Sequence, residues 1–424
     1  MRARLWRHWP CYRSTTNPAL RLTLAGSGLY NNAGAAAILL KGGAWFAGLG
    51  TAIENGFKLV LPSPTMIVHN RIREATRQKQ PVLLTGVMMG GGPSAWALES
   101  HLKAGLPVYA IPSAARTLND ELEKVKRMGI QLVSEDEALR LADSTTRIEF
   151  RDLDLPAILS VFTQFGVSLS DLAAVAVAVF GHGDAPPGIS DRQFRFDYLD
   201  SRLRNQASAS RNNPLSSLAF LREDTPSIMT RLQAVAASAE KLDCPLVVMD
   251  TAPAAVLGAT FDPLVGKRKP VIIANVGNFH TLAFRLGERP GGGTGIEGLF
   301  EHHTGEIDLP KLESLLHRLA DGTLKHQDVF DDMGHGALMY STDPMVFNSA
   351  ALDVVVTGPR RSMFYSQESS GSIRPYFASP FGDMMLAGNI GLLAATADVL
   401  PDLAEPILAS LSGTGGSGFA PWDA

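Results

Sequence analysis

VIIANVGNFHTLAF, positions Val271–Phe284, is the stretch on which the reading of the fold turns. Val271–Val276 is an unbroken apolar and β-branched run, the pattern of a strand buried on both faces. Gly277 and Asn278 make a tight turn, and HTLAF begins a return strand. Glycine lets a backbone come close to a ligand, and exposed N–H groups in such a turn suit phosphate oxygens. On turn chemistry alone the segment is more simply a hairpin.

Outward from this hairpin, strand patterns recur at Lys58–Leu61, Pro81–Val87, Pro107–Ala110, Gln131–Val133, Ala173–Val179, Leu246–Met249 and Asp353–Thr357. Helical patterns fall between them. One begins TPSIMTRLQAVAASAEKL, where Thr225 suits an N-cap and Pro226 the first helical position. Leu232, Val235, Ala236 and Ala239 then share one face. Alternating strands and helices predict an α/β fold with partly parallel sheets. SEDEA, Ser134–Ala138, reads as a capped helix start with favourable acids in its first turn.

At 424 residues the chain has room for two or three domains. Its 45% hydrophobic and 19% charged content is that of a folded protein. A net charge of −4 gives no basic footprint for nucleic acid. No apolar run reaches the length of a membrane helix. The two cysteines, Cys11 and Cys244, cannot build a disulfide framework or a thiolate-held iron–sulfur cluster. They fit a reducing compartment, so the cytoplasm is the expected location. Positions 1–54 differ in composition: a basic start without a secretory apolar core, then a Gly- and Ala-rich stretch. They read as an atypical leader, disordered or translated out of frame upstream of Lys58.

The hairpin's neighbours add specificity. DTAPAAVLGA (Asp250–Ala259) precedes it, and DVVVTGPRR and MMLAGNIGLLAA follow. In this order the segments resemble the superfamily of actin, sugar kinases and heat-shock chaperone ATPases. There they correspond to a connecting helix, a phosphate hairpin, an adenosine-binding strand and turn, and a second connecting helix. Further segments, KLVLPSPT, LLTGVMMGGGPSAW, GHGDAPPGISDRQFRF, GLFEHHTG and DDMGHGAL, are similar to a prokaryotic family of unknown function. Its members often carry the label of a pyruvate formate-lyase activating enzyme. The resemblance runs from Lys58 to about Ala397. A radical-generating activase needs three clustered cysteines, which this chain lacks.

The resemblance implies a two-lobed actin-like ATPase (ribonuclease H-like) α/β fold with insertions. Positions 55–243 would form the first lobe, 244–409 the second with its hinge helices, and 410–424 a loose tail. It implies a cofactor site for ATP and Mg²⁺ at Asn275, Gly277, Asn278, His280, Thr281, Gly358, Pro359 and Arg360. Gly90, Gly91 and Gly92, between a strand and a helix, add an anion-binding approach or a simple turn. Asp250 and His182 are the candidates for a catalytic base. Two departures limit the reading. The N-terminal hairpin lacks an acid, and Asn275 stands where many such ATPases have Asp, bringing no charge to a metal.

Histidines and acids suggest a metal or proton-transfer group at His302, His303, Asp331, Asp332 and His335. His302 and His303 would face opposite ways in a strand, so they would not share one ion. The expected function is nucleotide binding by a small-molecule phosphotransferase or ATPase. The alternative is a nucleotide-responsive regulator or reactivating factor for a partner enzyme. The partners are thus a small-molecule substrate or a partner enzyme, with neither nucleic acid nor membrane, and a homodimer stays open.

Overall fold

The computed structural model describes residues 21–26, 35–40, 58–60, 64–88, 92–119, 121–164, 172–181, 183–186, 188–204, 213–289, 292–345, 353–365 and 373–412. These form a mixed α/β protein with three sheets. Strands Arg21–Gly26 (β1), Ala35–Leu40 (β2) and Lys58–Val60 (β3) open the first sheet. Strands Val82–Val87 (β4), Val108–Ala110 (β5), Gln131–Leu132 (β6) and Thr146–Arg151 (β7) form a separate sheet in the order β6-β5-β4-β7. All its neighbours are parallel.

The chain then returns to the first sheet through Leu172–Ala178 (β8), Ala219–Leu221 (β9) and Leu246–Met249 (β10), giving the order β3-β1-β2-β8-β10-β9. The third sheet holds Val271–Val276 (β11), His280–Glu288 (β12), Thr294–His303 (β13), Gly336–Met339 (β14), Val354–Thr357 (β15) and Tyr376–Phe377 (β16). Its order is β14-β13-β12-β11-β15-β16. From β11 to β14 it is an antiparallel meander; β15 and β16 add in parallel on the other side of β11.

Alternation along the strands places the core. In β8, Ala174, Ala176 and Ala178 pack on one face, whereas Val175 and Val177 pack on the other. In β11, Ile273 faces one cluster and Ile272, Ala274 and Val276 another. The cluster shared by the first and third sheets includes the helices Thr251–Ala259 and Ala387–Val399. Two glycines let these helices touch backbone to backbone. A Cβ on Gly258 would lie 1.7 Å from the Ala387 carbonyl oxygen, and one on Gly391 would lie 1.8 Å from that of Ala254. The helices show no apolar stripe because nearly every side is covered.

Several expectations shift. The helix expected from Thr225 begins at Thr230 instead. Thr225 lies five residues before that start, and its hydroxyl donates to the Leu221 carbonyl at 3.0 Å. The expected face is nevertheless buried, with Leu232, Val235, Ala236 and Ala239 at 7% exposure or less. Strand β10 pairs in parallel with β8, so residues 246–249 lie in the first sheet, although the sequence division grouped them with the second lobe. Strands β1 and β2 lie inside the atypical start, paired with each other, and β2 also pairs with β8. Ser134 and Glu137 complete the capping box that SEDEA suggests. Among the described residues no helix is long and apolar enough to cross a membrane.

Candidate functional site

Strand register builds the site. His280 is the first residue of β12 and stands directly across from His303, the last residue of β13. Glu301 lies two residues before His303 and therefore shares its face. His302, between them, points to the opposite face. His335 arrives from the turn before β14. Strict pairing would set it opposite His302, but Gly336 has φ of 142°, a backbone state that favours glycine. The alternation breaks there, and His335 joins His280 and His303.

The three rings form a triangle, with centroids 5.0, 4.9 and 4.6 Å apart. One ring nitrogen from each lies within 4.8 Å of the others. His303 Nδ1 is 2.7 Å from the Met333 carbonyl, so that nitrogen carries the proton. His280 Nδ1 is 3.1 Å, and His335 Nδ1 3.8 Å, from Glu301 Oε1. The His280 contact is close but poorly aligned for a hydrogen bond. Phe180 stacks on His280 at 4.0 Å.

Behind the histidines runs a buried ion network. Arg195 Nε donates to Glu301 Oε2 at 2.7 Å, and its Nη1 to Asp250 Oδ2 and to the Gly181 carbonyl, both at 2.9 Å. The guanidinium also lies 4.5 Å over the Phe180 ring. Burial works against the charge on Arg195, but Asp250 and Glu301 outweigh it and raise its pKa. Burial likewise opposes ionisation of Glu301, yet Arg195, with His335 and His280, holds its carboxyl well below the usual range. Burial pushes Asp250 upward; Arg195 offsets this in part, and Glu301 adds to it. Burial also lowers the pKa of His303, with the Met333 carbonyl working the other way.

His280 and His303, with Phe180 and Gly181, line one side of a cleft of about 870 Å³, and the ion network lies behind them. Its opposite wall comes from the parallel sheet: Val87 at the end of β4, then Gly92 and Trp96 of the helix Gly92–Lys103. Strand β4 has β5 on one side and β7 on the other, so its carboxyl end is the switch point of that sheet. Ligands of open α/β sheets gather at such a point.

The predicted residues are thus distributed unevenly. His280, His303 and His335 converge, and Asp250 joins them through Arg195. Both oxygens of Asp250 are engaged: Oδ1 accepts from Ala252 N at 3.1 Å, capping the helix, and Oδ2 accepts from Arg195 Nη1 at 2.9 Å. His302 sits apart, its Nε2 3.2 Å from Asp332 Oδ2 and its Nδ1 3.2 Å from the His303 carbonyl. Asp332 also binds Lys311 at 2.8 Å, and Asp331 is exposed and outside the triad. The buried Thr281 hydroxyl meets Thr304 at 3.0 Å. Asn275 lies by the turn at Gly358, its Oδ1 2.7 Å from where a Cβ on that glycine would sit. Gly277 N donates to the His280 carbonyl at 3.0 Å, which closes the hairpin around Asn278. Pro359 is half-buried and Arg360 exposed beside that turn. Of the glycine loop, Gly92 lines the cleft, while Gly90 and Gly91, like His182, lie outside the described residues.

Sequence reasoning passed over Arg195, Glu301 and Phe180 as site residues. Glu301 carried a signal, since alternation places it on the face of His303. Arg195 lies within the family-like segment GHGDAPPGISDRQFRF, but nothing local points it at Glu301, because it comes from a helix, Asp191–Arg204, far away in the chain.

The fold and cluster define an α/β protein with a cleft bordered by imidazoles, behind which lie buried carboxylates. Residues 89–363 match the family described as "Putative pyruvate format-lyase activating enzyme (DUF1786)", and the chain belongs to that family. No curated protein and no solved structure matches the chain closely enough to count as a relative.

Proposed function

We propose that this protein binds ATP between two lobes of the actin-like ATPase kind and acts as a phosphotransferase or ATPase on a small molecule. The observation that carries the reading is the third sheet. Its order, a three-stranded meander of β11, β12 and β13 continued beyond β11 by parallel β15 and β16, resembles that expected of a ribonuclease H-like lobe and supports the reading. Because β11 and β15 are parallel, their carboxyl ends bring the Gly277 turn and the Gly358 turn together. Arg360 N donates to the Val276 carbonyl at 3.0 Å, and Gly358 adopts φ of 102°. The closely crossed helices at Gly258 and Gly391 would supply the hinge.

Nucleotide phosphate suits these glycine turns. Mg²⁺ finds less support: Asn275 is neutral, and Asp250 is occupied by Arg195 and its own helix. Phosphate oxygens and water would carry most of its coordination. Exposed Trp96 and Phe279 line the cleft and offer faces for a planar or apolar part of a ligand. The reading departs from the activating-enzyme label, since two cysteines at positions 11 and 244 cannot hold the cluster that radical activation needs.

The occupied state of Asp250 also favours a second reading, a nucleotide-responsive regulator of a partner enzyme. One experiment separates them. ATP with Mg²⁺ at a hundred times its Kd would raise stability by about 2.7 kcal/mol under either reading. Only the first also phosphorylates a member of a metabolite pool or releases phosphate. No thermal shift with ATP and Mg²⁺ would sink both.

A further inference from the structure

We propose that His280, His303 and His335 together bind one divalent transition-metal ion of the zinc class, with a remaining coordination position open to the cleft. This goes beyond the nucleotide reading and does not depend on it. Three imidazoles suit zinc or its neighbours in the first transition row; Mg²⁺ and Ca²⁺ select oxygen. Three protein ligands plus one open position is the arrangement of a catalytic rather than a purely structural zinc site.

Three features of the cluster favour an ion. The first is ring orientation. His303 Nδ1 is tied to the Met333 carbonyl at 2.7 Å, which leaves Nε2 with the lone pair. His280 and His335 turn Nδ1 toward one oxygen, Glu301 Oε1, at 3.1 and 3.8 Å. The hydrogen bond behind His303 is how proteins aim the other ring nitrogen at a metal, and Glu301 places a carboxylate behind the other two rings. The second is the fixing of that carboxylate: Arg195 Nε holds Glu301 Oε2 at 2.7 Å, with both side chains sealed from solvent. The third is charge. Arg195 is flanked by Asp250 and Glu301, so two carboxylates face one guanidinium. A cation at the imidazoles offsets the excess negative charge.

The nitrogens lie within 4.8 Å of one another. A tetrahedral zinc ion with bonds of about 2.0–2.1 Å needs them about 3.4 Å apart, so the rings draw together on loading. His280 and His303 line the cleft, so the open position faces it. An oxygen donor, such as water, phosphate or carboxylate, would complete the shell.

The test uses the full chain, stripped with a chelator and titrated with Zn²⁺ against a chromophoric competitor. The expected result is one tight equivalent, undisturbed by millimolar Mg²⁺, and a tetrahedral visible spectrum when Co²⁺ replaces Zn²⁺. His303→Asn and His280→Asn each abolish that equivalent and the spectrum. Glu301→Gln keeps the stoichiometry but weakens binding by about 10- to 100-fold. His302→Asn, on the other face, leaves the titration unchanged. Absence of a stoichiometric equivalent in the wild-type chain overturns the proposal. So does an equivalent that survives in His303→Asn and His280→Asn, each shown to be folded by circular dichroism.

Discussion

Arg195 Nε donates to Glu301 Oε2 across 2.7 Å, and neither side chain is more than 2% exposed. The same guanidinium reaches Asp250 in the helix-capping position, so one side chain joins the third sheet to the start of a central helix. Its removal would leave two buried carboxylates without their counter-charge. Arg195→Met is expected to lose about 3–5 kcal/mol of unfolding free energy, the range for breaking a buried pair from one side. Urea denaturation reads this directly. Adding Glu301→Gln should restore part of the loss, because one of the stranded charges goes with it. A single variant as stable as the wild type would show that the network carries no such weight.

Gly258 and Gly391 put two opposing effects in competition. Alanine is favoured over glycine within a helix by about 1 kcal/mol. At Gly391, however, a methyl group would sit 1.8 Å from the Ala254 carbonyl oxygen, and at Gly258 1.7 Å from that of Ala387. The helices would have to part, and overpacking typically costs about 1–3 kcal/mol. Gly391→Ala should therefore lower the melting temperature despite its better helix propensity. A rise would mean that the crossing has room for the added methyl group.

His101 gives a pH dependence away from the cleft. It is fully buried in the helix Gly92–Lys103, with Nδ1 2.8 Å from Thr76 Oγ1. Burial lowers its pKa below 6.5, and the Pro107 carbonyl offsets this only in part. The unfolded chain therefore binds more protons than the folded one once pH falls below about 6.5. The stability that the neutral ring permits is present above that pH and is lost as pH falls toward the folded pKa. Denaturation midpoints from pH 7.5 to about 5 should fall less steeply in His101→Gln than in the wild type. Equal slopes would assign the effect to other groups.

Arg231 tests geometry at constant charge. Its Nε and Nη2 lie 3.1 and 3.0 Å from Asp152 Oδ1, and Nη1 donates to the Phe180 carbonyl at 2.8 Å. It thus connects the residue after β7 with the residue whose ring stacks on His280. Lysine keeps the charge but not the fork. Arg231→Lys should destabilise by about 1.5–3 kcal/mol, the scale of hydrogen bonds to a charged group. Differential scanning calorimetry would register it, and an unchanged transition would refute the assignment.

Local chemistry was the part of this protein legible from its residues. An apolar β-branched run such as Val271–Val276 suits a buried strand, and Gly277 with Asn278 suits the turn that ends it. The strand patterns at Pro81–Val87, Ala173–Val179 and Asp353–Thr357 reappear within a residue or two, because solvent exclusion acts on the period of the chain itself. Thr146–Arg151 has no apolar run and shows only a short alternation, Ile148 and Phe150 buried beside exposed Arg147 and Glu149, while Thr294–His303 has neither. Their pairing partners supply what their composition does not.

The site divides in the same way. Alternation alone separates His302 from His303, since neighbouring strand residues face opposite ways. It says nothing of Arg195, which reaches Glu301 from a helix more than a hundred positions earlier. Nor does it bring His335 to His280, because that depends on the positive φ at Gly336 breaking the alternation. Residue order determines which faces are apolar and where the chain turns. Only tertiary packing decides which distant charges must meet, because a buried guanidinium and a buried carboxylate are tolerable together and costly apart.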